Sequence, residues 1–315
     1  MKSLTTVSLA ALLALGLSAC GSDKSSPDAT QPAQAPAKAA QTESPTAVVD
    51  GVAKELANGN LLAVMQLSMP AAKFDEAKAK WVEERDQDPP SEEDKAKFAE
   101  MMTKLTAADA EEQMMTELEP MLVKYDTEVA AQKPMYVGMG QGFAAQSIQE
   151  NEELSDEEKQ QANNALTGAA NWINQTNFGD RELARKAVRE AITTAKALDM
   201  KSLDEVQAMD FETMLGKAGT AFQGVKRILA VYGLDVNKTL QSVKSELVSQ
   251  DGDKATVKVN FSLFDQPLSF NTEMVQVDGR WYGKKAMEQV SETADEAEDM
   301  IEDTENAEDT ADLNH

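Results

Sequence analysis

The chain has 315 residues, with 55 acidic and 30 basic side chains, and its formal net charge is −25 when the lone histidine is neutral. That sign speaks against nucleic acid as a partner, because binding a phosphate backbone depends on Lys and Arg displacing its counterions. Apolar residues make up 42% and charged residues 27%, the range of a globular protein with a buried core. Few aromatics beside plentiful Met, Ala and Leu favour helices over a large sheet.

Residues 1–19 read as an export signal. Met1-Lys2-Ser3 is short and basic, and Leu4 to Leu17 is apolar or small with no charged side chain. The run is shorter than the roughly 20 residues that span a bilayer, and no basic flank follows it to stop transfer. It closes on Leu17-Ser18-Ala19-Cys20, which resembles the lipobox of bacterial lipoproteins. The resemblance implies cleavage before Cys20, with Leu17, Ser18 and Ala19 as recognition residues. It also implies diacylglycerol attachment to the Cys20 sulfur and acylation of the new amino terminus. The competing reading is an ordinary secreted protein whose signal happens to end in Cys. Lipidation better explains a lone cysteine in an exported chain, and that cysteine can form no disulfide within the chain. Several acyl chains together make a durable bilayer anchor, since each buried methylene contributes about 0.8 kcal/mol. In Gram-negative lipoproteins, the resemblance further implies, Asp directly after the lipidated Cys favours inner-membrane retention. Gly21 stands there, so anchoring at the outer membrane with the body facing the periplasm is expected.

Residues 20–46 are mostly Ser, Pro, Ala, Gln and Thr, too polar to bury a core, and read as a disordered tether. Residues 47–235 read as a helical region. Ser68-Met69-Pro70 sets one start, with Phe74, Ala77, Trp81 and Val82 on one face and a stop before Pro89-Pro90. Ser91 with Asp94, Thr106 with Asp109, Ser155 with Glu158, and Ser202 with Glu205 each place a hydroxyl three residues before an acid, the pattern of a capping box. Apolar stripes follow these signals: Phe98, Met101, Met102, Leu105; then Met114, Leu118, Met121, Leu122, Tyr125, Val129; then Ala162, Leu166, Ala169, Ile173. Pro120 inside the second stripe predicts a kink or a break. Asp180 leads a helix through Leu198, Phe211 starts another through Leu229, and Gly233 closes it as a C-cap.

Residues 236–286 alternate in the manner of strands. Asp251-Gly252-Asp253 turns between Val243–Val248 and Ala255–Leu263, Asp265-Gln266-Pro267 turns again, and Asp278-Gly279 leads into Arg280-Trp281-Tyr282. A small sheet needs a covering layer. The expected fold is therefore α+β, a large helical region followed by a small antiparallel β-meander packed on it. Residues 287–315, with twelve acids from Glu288 to Asp312, read as a self-repelling tail. The runs from Asp251 to Val259 and from Val277 to Tyr282 resemble the closing strands of nuclear-transport-factor-2-like cone domains in bacterial lipoproteins. Such folds serve as enzymes and as binding or structural modules.

Catalytic signatures are missing. The one histidine is the terminal His315, so neither Ser–His nor Cys–His catalysis has its base, and no Cys or His in the body can ligate zinc. No catalytic, cofactor-binding or metal-ligating residue is assigned. Gly138-Met139-Gly140-Gln141-Gly142 has neither the preceding strand nor the lysine of a phosphate loop, while Met135 to Ile148 form a helical stripe. Close packing of a neighbouring helix on those glycines is expected. The methionines from Met101 to Met139 suit core packing, with an apolar groove or Cu(I) as the other readings. The expected function is a membrane-anchored periplasmic binding or envelope-interaction module without catalysis, whose partners are the bilayer and a periplasmic protein or apolar ligand. The alternative is an enzyme or small-ligand binder using a pocket between the C-terminal sheet and the helices. A third possibility is an assembly or spacer module.

Overall fold

The computed structural model describes residues 43–287, apart from Asp88 and Glu153. Leu17, Ser18, Ala19 and Cys20, which resemble a lipobox, lie outside the described residues, as do most of the stretches read as a tether and as an acidic tail. Eleven helices and one π-helical turn precede a four-stranded sheet among the described residues, so the α+β architecture is as expected. No described helix is long and apolar enough to cross a membrane.

Helix α1 (Pro45–Asn58) begins two residues inside the stretch read as tether. Ser44 accepts from the Ala47 N–H at 3.1 Å, and Pro45 occupies the first turn, where its missing N–H costs nothing. Gly59 ends α1 at φ 71°, and Asn60 then caps α2 (Leu61–Ser68). Helix α3 (Ala71–Gln87) stops ahead of Pro89-Pro90. Helix α4 (Glu92–Thr106) opens on Ser91, whose hydroxyl accepts from Asp94 N–H at 3.2 Å.

The Thr106 signal fails as a start. Thr106 is the last residue of α4, and its hydroxyl donates back to the Met102 carbonyl at 2.7 Å, so it is occupied within its own helix. Helix α5 (Ala110–Lys124) starts instead at Asp109, which makes no side-chain cap bond. Pro120 does not break α5. The helix runs through it because Met115 and Leu122 are buried against α8 (Arg181–Leu198), and that packing outweighs the roughly 3 kcal/mol an interior proline costs. An irregularity comes five residues later as a π turn, Tyr125–Val129, where Ala130 N–H donates to the Tyr125 carbonyl at 2.8 Å.

Helix α6 (Lys133–Glu150) and α7 (Asp156–Gln175) form a hairpin, and α7 opens with a complete capping box between Ser155 and Glu158. Asp180 caps α8 twice, accepting from Glu182 and Leu183 N–H. The short α9 (Leu203–Gln207) starts at Ser202 as its signal predicts. Helix α10 (Phe211–Val231) is capped by Asp210, and Gly233 at φ 88° closes it with Leu234 N–H reaching back to the Leu229 carbonyl. Helix α11 (Val236–Gln241) falls where strands were expected to begin.

Strands β1 (Lys244–Asp251), β2 (Lys254–Leu263), β3 (Gln266–Val277) and β4 (Arg280–Gly283) form an antiparallel sheet in sequence order. Its last turn pairs Asp278 at φ 51° with Gly279 at φ 78°, the left-handed pair that a two-residue hairpin requires. The β2–β3 turn lies at Phe264-Asp265, slightly ahead of the expected Asp265-Gln266-Pro267. The Phe264 ring is held there against Trp172, 5.9 Å between centroids, and over Gly168 of α7.

Three apolar clusters hold the body together. Val48 of α1 packs with Ala255, Val257, Val259, Met274 and Trp281 on one sheet face. Ala184, Val188 and Ile192 of α8 pack on α5. Leu61, Phe211, Leu215 and Phe222 join α2 to α10, with α3 contributing Phe74 and Trp81. Because α1 meets the sheet while α2 meets α10, the helices and the meander form a continuous body.

Candidate interaction surface

The interface between α1 and the sheet is filled. Val257 is fully buried there, and Trp281 and Met274 close over it. Two open clefts are lined by described residues, one between α10 and α11 and one between α7 and the sheet. One, about 600 Å³, is lined by Lys226 and Arg227 of α10 and by Asn237, Lys238 and Gln241 of α11. Its cations are already engaged: Arg227 pairs with Glu190, Lys238 pairs with Asp265, and the Lys226 ammonium donates to carbonyls of α1. Burial holds the Lys226 amine below its ordinary pKa. The other cleft, about 330 Å³, lies between amide side chains of α7 (Gln160, Gln161, Asn164) and the β2–β3 hairpin.

Several carboxylates are held in ion pairs between helices or in a helix cap. Arg185 and Arg189 of α8 both grip Glu111 of α5, at 2.9 and 2.8 Å, and hold its pKa down at about 2. Arg181 engages Glu119 and Asp126. Asp210, bonded to Thr213, and Glu212, bonded to Lys78, are also shifted down. A general acid at neutral pH needs the opposite shift. Among the described residues no group of three or more His, Cys, Asp or Glu converges on a point.

The methionines divide. Met102 and Met115 are buried, whereas Met101, Met121, Met135 and Met139 are exposed. Two of the exposed four sit on α6, a long helix of 18 residues with none buried. Its inner face, Val137, Gln141, Ala144 and Ile148, is half-buried, and α7 lies beside it. Lys133 anchors its start by donating to the Thr176 carbonyl at 2.7 Å. The outer face carries Met135, Tyr136, Met139 and Phe143, which are 53%, 52%, 55% and 72% exposed. At 100° per residue these four fall within a stripe about 100° wide. Residues 134–149 include no Asp, Glu, Lys or Arg, although more than a quarter of the whole chain is charged.

Gly138, Gly140 and Gly142 also differ from expectation. A Cβ built on any of them meets nothing within 4 Å among the described residues, so no described helix packs there. Helical periodicity marks the face that could be buried, but not whether the described body supplies the cover. The missing charge was the available signal, since a solvated helix face of this acidic protein normally carries it.

No family model matches the chain, and no solved structure matches it. Among curated proteins it is similar to a guanosine-5'-triphosphate,3'-diphosphate pyrophosphatase of Aeromonas hydrophila subsp. hydrophila, 32% identical over 88 residues. That stretch is 28% of this chain and 17% of the relative, so the likeness is confined to a minor part of both.

Proposed function

We propose that this chain is a bacterial lipoprotein, held at the outer membrane by acyl chains on Cys20, whose α+β body faces the periplasm and acts as a non-catalytic interaction module. The anchor rests on the apolar leader and the Leu17-Ser18-Ala19-Cys20 sequence. The observation that carries the interaction role is the outer face of α6, with four large apolar side chains held in water on a helix whose outer face bears no charge. The filled interface between sheet and α1, and carboxylates drawn into ion pairs, favour this reading over an enzyme in the same body.

Two measurements test it. Mass spectrometry of the mature amino terminus from the native host is expected to find a diacylated thioether on Cys20; an intact leader or an unmodified thiol would refute the anchor. A photo-crosslinking residue at position 143 is expected to capture protein in living cells. Should capture there match that at a charged surface site such as position 196, α6 is not the interaction face.

A further inference from the structure

We infer that the partner of the α6 outer face is the same face of a second copy of this chain. This rests on the reading of α6 as the interaction surface and names its occupant.

The face has a shape as well as a polarity. Met135, Met139 and Phe143 follow one another at i+4 and make a ridge. The adjoining i+4 row holds Gly138 and Gly142, where an added Cβ finds open space, and makes a groove beside that ridge. Two helices pack by laying the ridges of one into the grooves of the other, and i+4 rows of both interdigitate at a crossing near −50°. Because ridge and groove adjoin on one face, a two-fold axis brings each ridge into the partner's groove. One face satisfies both halves of the contact.

The same glycines argue against lipid. A glycine row removes apolar area that a fluid bilayer would otherwise cover, whereas it admits a fixed ridge. It also lowers helix propensity with no compensating contact among the described residues. Charge points the same way. At −25 the chain repels its own copies, and residues 134–149 let two copies touch without placing carboxylates against carboxylates. One helix face is smaller than a standard stable interface of about 800 Å² per partner, so the pairing is weak in dilute solution. Confinement to a membrane surface raises the effective concentration and populates it.

The test uses the full chain in its native host, with benzoylphenylalanine replacing Phe143. Illumination is expected to give an adduct of twice the chain's mass. Gly142→Leu, which fills the groove, is expected to lower its yield at least ten-fold. Leucine is the better helix former, so a lost adduct with an undiminished thermal midpoint reports the contact and not unfolding. An unchanged yield in Gly142→Leu overturns the groove. Capture of a different protein overturns self-pairing while leaving α6 as an interaction face. Capture of lipid alone, or of nothing, overturns both.

Discussion

The Lys226 ammonium sits 2.7 Å from the carbonyl oxygen of Ala57 and 2.9 Å from that of Leu56, so a side chain from α10 closes the last turn of α1. Its position 4.7 Å from the Phe222 ring centroid adds a cation–π contact. Lys226 is only 2% exposed. Ala57 also accepts from Gln223, and Leu56 from the Gly59 N–H, so neither carbonyl is stranded when the lysine is lost. Lys226→Ala is expected to cost about 3 kcal/mol, mainly from the cavity it opens. Lys226→Met fills the same space without a charge to desolvate and is expected to cost about 1 kcal/mol. Chemical denaturation of both variants checks the ordering.

Glycines of two kinds respond oppositely to the same substitution. A Cβ at Gly224 collides with the Thr194 side chain where α10 crosses α8. Gly224→Ala is therefore expected to destabilise by about 1–3 kcal/mol through overpacking. Gly140→Ala meets open space and is expected to stabilise by about 0.5–1 kcal/mol through helix propensity. Thermal midpoints of the two variants, moving in opposite directions, are the readout.

Burial separates two apolar truncations. Val257 is wholly inaccessible at the centre of the sheet–α1 cluster, and Val257→Ala is expected to cost about 2–3 kcal/mol. Phe143→Ala removes a larger ring from an exposed site and is expected to stay within about 0.5 kcal/mol in the monomer. Urea unfolding at low protein concentration tests the pair.

Glu111 sets a pH dependence. Its two arginines hold it near a pKa of about 2 against an ordinary value of 4.5, so the folded state binds its proton more weakly than the unfolded chain does. Its stabilising contribution is complete above pH 4.5 and is lost as the pH falls toward 2. Glu111→Gln is expected to flatten the fall in thermal midpoint across that window. Identical pH profiles for the parent and the variant would refute the linkage.

Local signals were legible where one residue type has one job. Ser91, Ser155, Asp180 and Ser202 start helices because a short oxygen-bearing side chain satisfies an amide the helix cannot. The meander could be read because period-two alternation survives in β2 and its turns carry Gly or Asp. What failed was decided at a distance. Thr106 has the right spacing for a cap, yet the α4 stripe packs to its end and the hydroxyl turns inward. Pro120 has the chemistry of a breaker, yet α8 holds the helix through it. The α6 glycines show the same limit, since a sequence pattern cannot say that no described helix lies against them.

The amino-terminal end of the body is fastened to its carboxy-terminal sheet. Ser245 of β1 donates its hydroxyl to the Thr46 carbonyl at 3.0 Å and its N–H to Asp50 at 3.1 Å, while Val48 is wedged in the sheet cluster. Mechanical load arriving through the first residues of α1 thus meets the sheet at once and passes to α10 through Lys226. The α6–α7 hairpin shares that load, because Gln161 of α7 accepts from the Ser269 N–H of β3 and Trp172 packs on Phe264, so α6 is tied to the sheet through α7.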